Sequence, residues 1–275
     1  MSIPHNWKYN YENERYDVDG DVWLSKDDVN AAGELYYSFG RVTGSFHIEG
    51  LGIRSLKGCP EYVGGDFICF ANKLTSLEGA PETVGGNFSC AYNELISLEW
   101  LPKYIGREIT VSHNKLSSLK GCQENVYGNF SCHDNVITSL VGGPKEVWGN
   151  FHCHANKLTS LIGCPEVHGM LSCRENHLKS LEGCPRVVSG AFDCGYNQLE
   201  SLEYAPLFVG NGFYCDHNKL KSLVGGPKLV KGTYSCENNF LENFLGAPTV
   251  IRGTFQYTNN KISSMVGIPK VIGKE

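Results

Sequence analysis

The stretch Val84-Gly85-Gly86-Asn87-Phe88-Ser89-Cys90-Ala91-Tyr92-Asn93-Glu94-Leu95-Ile96-Ser97-Leu98 decides the fold of this chain, because its pattern returns again and again down the sequence. Phe88 and Cys90 stand two residues apart, the period of a strand. Their side chains are therefore expected in the core, with Asn87, Ser89 and Ala91 facing out. Asn93 begins a turn, and Leu95 and Leu98 point back inward. Neither limb has the length or the 3.6-residue apolar period of an α-helix, so the return limb is predicted to be extended or a short 3₁₀ turn.

The asparagine recurs ten times, at Asn72, Asn93, Asn114, Asn135, Asn156, Asn176, Asn197, Asn218, Asn239 and Asn260, at a spacing of 21 residues broken once by 20. Such a period describes a stack of coils. One coil hides only one side of its apolar set, and the next coil covers the other. The expected fold is a β-rich solenoid of about ten 21-residue coils with a parallel sheet, an N-terminal cap over residues 1–43 and the solenoid proper over 44–275. A carboxamide carries both a donor and acceptors, so the asparagines are expected to satisfy the backbone groups of the bend and one another. A second ladder, Ser76, Ser97, Ser118, Ser139, Ser160, Ser180, Ser201 and Ser222, is assigned to the second bend.

The chain has twelve cysteines, and eight of them stand three residues before the repeat asparagine. Val111 and Tyr257 fill the same slot, so it asks for an apolar side chain rather than a thiol. The other four, Cys59, Cys122, Cys164 and Cys184, share a slot with Ala80, Ala205 and Ala247. Both series read as small buried free thiols rather than a disulfide framework.

With these residues in view, Phe88-Ser-Cys90-Ala-Tyr-Asn93-Glu-Leu95 resembles the L-x-L-x-x-N-x-L core of the leucine-rich repeat family, with Phe and Cys in two leucine places, over residues 44–272. Gly-Gly before the strand and Gly-x-Pro after the last leucine are similar to short, helix-poor bacterial or bacteriophage members. The resemblance implies a curved solenoid whose strand face binds another macromolecule, and it implies no enzyme. For a bacteriophage protein the expected target is a host protein, and the expected consequence is its inhibition.

The formal net charge is -5, and no sustained basic stripe exists, which argues against general nucleic-acid binding while leaving a small anionic ligand open. The first residues carry no apolar signal-peptide region, and no later stretch reaches bilayer length. No membrane role is expected, and the expected location is the cytoplasm, that of the host if the chain is bacteriophage-encoded. In the cap, the segment from Val18 to Leu24 is predicted to form a strand pairing near Phe46 and Ile48, with a short helix after Asp27 or Asp28 as its cap residue. Asp17, Asp19 and Asp21 alternate as in a calcium loop, but the glycine and final glutamate miss the required spacing, so a cap turn is expected there. At the other end a last strand with Phe255 and Tyr257 offers an edge, which leaves two readings open: a homodimer formed end to end or side by side, or a charged, twisted edge that keeps the protein monomeric.

The outward slots become unusual in the middle of the stack: His133, His152 and His154, then Arg174, Asp193, Tyr214 and Asp216. His133 and His154 occupy equal places on neighbouring coils, which puts their rings within roughly 5 Å. Tyr127, Trp148 and His168 form a row before the strands. Three readings stand: a protein-binding hot region, an anion or nucleotide pocket using Arg174 and the histidines, and a divalent metal site from His133, His152 and His154, which lacks a known ligand motif. No cofactor is expected. Catalysis has little support: no serine or cysteine is placed unusually, and although Asp193 and Asp216 lie on adjacent coils as a conceivable acid-base pair, the face offers no evident pocket to exclude water and lift a carboxylate pKa. Lys73, Lys115, Lys157, Lys219 and Lys261 follow the asparagine as a ridge interrupted at Glu94 and Gln198, read as a solubilising edge or, in the alternative, as a steering strip for an acidic partner. The reading favoured is a non-enzymatic protein-binding scaffold that works by rigid display, with small-anion binding or sequestration as the alternative.

Overall fold

The computed structural model describes residues 5–273. Each coil contributes one two-residue strand to a 12-stranded sheet that runs the length of the stack, from Val22–Trp23 to Phe255–Gln256. Neighbours pair in parallel and in register, for example Phe88 opposite Ile109 and Phe130 opposite Phe151. The ten asparagine-bearing coils account for ten of those strands, and Val22–Trp23 and Phe46–His47 extend the stack in the N-terminal direction. The strand expected in the cap therefore pairs where it was expected.

The return limb holds a feature the repeat did not announce. A second ladder, parallel but for the antiparallel strand Trp7–Asn10 at its N-terminal edge, runs through the segment just before Gly-Gly, as in Thr83–Val84 against Tyr104–Ile105, and it is divided into sheets of six, three and five strands. The first division falls where Gln123 occupies the slot that proline fills elsewhere, as at Pro102 and Pro144. Its carboxamide accepts from the Ile105 amide at 3.1 Å and donates to the Asn125 carbonyl at 2.6 Å, standing in for a backbone pair. The return limbs are otherwise extended. Within the described residues the one 3₁₀ turn is Lys26–Asp28 in the cap, and Ser25 rather than Asp27 or Asp28 is its N-cap, closed by a capping box in which Asp28 accepts from the Ser25 amide. Asp17, Asp19 and Asp21 are spent on the next coil: their carboxylates accept from the Arg41 amide, the Thr43 hydroxyl and the Ser45 amide.

A hairpin of Trp7–Asn10 with Arg15–Val18 covers the open end of the core. The Trp7 ring lies 4.9 Å from Phe39 and 5.4 Å from Tyr37, both edge-on. Inside, Phe46, Phe67 and Phe88 stack face to face at 5.9 and 5.7 Å, continuing after Ile109 with Phe130 over Phe151 at 5.5 Å. All twelve cysteines are free, and burial pushes the thiols of Cys132, Cys173 and Cys215 well up, as expected of apolar filler.

The bend after each strand is built by two residues. The position before the repeat asparagine is left-handed in all ten coils without a glycine, from φ 50° at Ala155 to 56° at Ala71 and Asn259. The asparagine then gathers the carbonyls that this turn directs inward. Asn93 donates to the oxygens of Cys90 at 3.1 Å, Ala91 at 3.2 Å and, one coil back, Cys69 at 3.1 Å, while its own oxygen accepts from the Leu74 amide at 2.9 Å. Among the described residues the ladder asparagines bond backbone and not one another. That corrects the expectation of mutual pairing: backbone groups of two coils saturate each carboxamide, which leaves no donor for the next asparagine. The serine ladder closes the second bend as expected, with Ser76 and Ser180 accepting from the amides two residues on at 3.0 and 3.1 Å.

Candidate functional site

Three columns of side chains leave the strand face in the middle of the stack. The strand's second residue supplies His152, Asp193 and Tyr214. The residue after the inward cysteine supplies His133, His154, Arg174, Gly195 and Asp216. The left-handed residue supplies Tyr92, His113, Asp134, Glu175, Tyr196 and His217. The residues that follow the inward cysteine, or Val111 in its place, do not all face out. Ala91 and Ser112 are buried, because short side chains in a stack this close are covered by the coils on either side.

The histidines gather as the spacing required. His133 and His154 stack at 4.4 Å with an interplanar angle of 8°, and His152 stands edge-on to His154 at 6.0 Å. His113, which the sequence reading passed over, meets His133 edge-on at 5.0 Å and is itself stacked on Tyr92 at 4.0 Å. Asp134 accepts from His133 Nδ1 at 2.7 Å and lies 3.6 Å from His113 Nε2. The grouping of His133 with His152 and His154 as a metal triad is therefore replaced by His113, His133 and Asp134, whose candidate ligand atoms all lie within 4.8 Å of one another.

His154 Nδ1 is buried without a hydrogen-bond partner. Burial, then the neighbouring His133 and His152, push its pKa down to about 4, and burial also lowers that of His152. A base whose folded pKa is depressed takes up a proton on unfolding, so stability falls as the pH drops from the ordinary 6.5 towards about 4. Wild type should lose about 1 kcal/mol over that window relative to His154→Gln, after allowance for solvent screening of a half-exposed ring. Thermal melts of the two proteins at pH 7 and pH 4.5 measure the difference. Equal slopes would remove His154 as the cause.

Further along, Arg174 lies across the gap left by Gly195. A Cβ at Gly195 would stand 2.9 Å from Arg174 Nη1 and 3.1 Å from Asp216 Oδ1, so the missing side chain is what lets the guanidinium reach two coils on. Its nitrogens lie 3.4 Å from Glu175, 3.7 Å from Asp193 and 3.5 Å from Asp216, and the group sits 4.1 Å above the Tyr196 ring. Asp216 also accepts from His217 Nδ1 at 3.0 Å, and the His217 ring stacks on Tyr196 at 3.8 Å. Contrary to the expectation of an open face with no evident pocket, burial between coils holds the Asp193 carboxyl above its ordinary range, against the lowering by the Gly195 amide and Arg174. With three carboxylates around it, Arg174 is committed inside the protein, and this part of the face presents excess negative charge.

Of the remaining candidates, Tyr214 is paired in register with Asp193, while Tyr127, Trp148 and His168 stand apart from both groups. The Tyr214 ring folds back over Gly212 of its own coil. Trp148 and His168 stack at 4.7 Å at the entry to the strands, where His168 Nε2 bonds Glu146 at 2.8 Å. Tyr127 is exposed one coil earlier in the same row, and among the described residues no ring contact, ion pair or side-chain hydrogen bond joins this row to His113, His133, His152 or His154. Surface depressions occur beside Arg54 and Ser76, beside His168 and Arg186, and beside Lys179 and Lys219, all off the three columns. No helix among the described residues is long and apolar enough to cross a membrane.

The signal for the missed residues was present in the sequence. Tyr92, His113, Asp134, Tyr196 and His217 each precede a repeat asparagine, a slot that reads as a turn until its left-handed backbone turns the side chain onto the face. Comparison with protein-family models, with curated proteins and with solved structures found no match. The likeness to leucine-rich repeats is accordingly one of architecture, a helix-poor parallel β-solenoid.

Proposed function

We propose that the protein is a non-enzymatic binding scaffold that presents the strand face between Tyr92 and His217 to another protein. One observation carries this reading: the face is already assembled. Tyr92, His113, His133 and His154 are locked ring against ring, and Tyr196, Arg174 and His217 are locked by stacking and ion pairs, so a partner meets aromatic and charged groups that lose little freedom on contact. Asp134, Glu175, Asp193 and Asp216 outnumber the single Arg174 here, which favours a partner with a basic surface and predicts association that weakens as salt rises. The same charge balance disfavours the small-anion alternative, since Arg174 is already paired. A scaffold that covers a partner's working surface inhibits it, and in a bacteriophage protein the partner would be a host protein.

The test is quantitative affinity capture from a host lysate with three baits: wild type, a Tyr92→Ala, Tyr196→Ala, His217→Ala face variant and a Tyr104→Ala back-sheet control. Loss of three such anchors is expected to weaken capture of a specific protein at least about tenfold, equivalent to about 1.4 kcal/mol, while the control retains it. Equal capture by all three, with matching thermal melts, would dismiss the face as the binding surface.

A further inference from the structure

We propose that His113, His133 and Asp134 form a site for one borderline divalent transition cation of the zinc class, with three ligands supplied by two adjacent coils and the remaining coordination open to solvent. The site follows from register. His113 and Asp134 hold the same left-handed slot one coil apart, at φ 52° each, so they project side by side from one ridge. His133 precedes Asp134 and reaches the same carboxylate from the neighbouring column. Asp134 Oδ2 lies 2.7 Å from His133 Nδ1 and 3.6 Å from His113 Nε2. A tetrahedral zinc ion with bonds of about 2.0–2.1 Å separates its ligand atoms by about 3.3 Å, so these groups need adjustments of roughly an ångström.

The ring planes are set in advance. Tyr92 supports His113 from one side at 4.0 Å, and His154 supports His133 at 4.4 Å, which restricts the two imidazoles to orientations that keep their nitrogens near the carboxylate. Two imidazoles and one carboxylate suit zinc, cobalt, nickel or copper, whereas calcium and magnesium prefer all-oxygen sets. The thiols cannot compete in the folded protein: Cys132 and Cys153 point into the core, and burial raises both pKa values. His152 and His154 lie outside the cluster of converging ligand atoms.

Calorimetric titration of the whole protein with zinc chloride, under a non-chelating reductant, provides the test, with cobalt(II) absorption as a second readout. The expected result is one saturable site whose affinity falls at least tenfold in His113→Asn and in Asp134→Asn. Asparagine tolerates the left-handed backbone, so neither change should disturb the fold, which circular dichroism verifies. His168→Ala, at the separate imidazole and carboxylate pair with Glu146, should bind as wild type does. Absence of a saturable site in wild type would overturn the proposal. So would undiminished binding by His113→Asn, or thiolate charge-transfer bands in the cobalt spectrum, which would place the metal on cysteine.

Discussion

Asn156→Ala is expected to lower the unfolding free energy by about 3–5 kcal/mol, because several buried backbone groups lose their partner at once. The Asn156 oxygen accepts from the Ile137 amide at 2.9 Å, and its nitrogen donates to the carbonyls of Cys132 at 3.1 Å, Cys153 at 3.2 Å and His154 at 3.1 Å. Alanine offers none of these bonds. Asn156→Asp is the sharper probe. It keeps the acceptor for Ile137 but turns an oxygen towards three carbonyls, so near neutral pH it should destabilise at least as much as alanine. Those carbonyls and burial raise the folded pKa of the new carboxyl above its unfolded value of about 3.9. The aspartate variant should therefore regain stability relative to alanine as the pH falls through that raised pKa and a proton restores one donor. Urea denaturation followed by circular dichroism reads both changes. A midpoint unmoved in Asn156→Ala would show that the ladder does not clamp the coils. Because nearly all contacts of a coil are with its immediate neighbours, the loss is expected to start as local unfolding around residues 132–176 rather than as one global step.

The second large effect is expected at a bend. Gly183→Ala should cost several kcal/mol, since an added Cβ would lie 2.4 Å from Ile162 N and Leu161 C, both backbone atoms of the preceding coil, at φ 89°. Equivalent glycines recur at Gly79, Gly163 and Gly246, also at positive φ. Two coils break the rule with exposed aromatics, Trp100 at φ 68° and Tyr204 at φ 67°. Trp100→Gly should accordingly be neutral or stabilising, by up to about 1 kcal/mol, through relief of a left-handed non-glycine residue. The contrast is the test: thermal melts that show Gly183→Ala tolerated, or Trp100→Gly strongly destabilised, would refute the account of this bend.

Much of this architecture was legible in the residues. The two-residue alternation of Phe88 and Cys90, the 21-residue return of Asn93 and the exchange of Cys with Val111 led directly to a parallel stack with thiols inside. The face was legible only in part. His133 and His154 share one column, and a constant coil rise sets their contact, so arithmetic on the sequence was sufficient. His113 and Asp134 occupy a slot whose use depends on the sign of φ, which residue type does not dictate when alanine, tyrosine, histidine, aspartate and glutamate all stand there.

The division between the two levels has a physical basis. A period in the chain specifies which residues repeat an environment, because stacking energy acts identically on every coil, and so the sequence by itself determined the solenoid, its core, the places of its bends and the two columns borne by the strand and the residue after the inward cysteine. What those columns do to one another depends on side-chain directions and on gaps between coils. Only the tertiary structure decided that Gly195 opens the space through which Arg174 reaches Asp216, and that Asp134 stands between His113 and His133 while Tyr127 and Trp148 remain apart. The contacts of Asp134 with His113 and of Arg174 with Asp216 join unlike residues on coils one and two repeats apart, and a repeat records likeness at such distances, not complementarity.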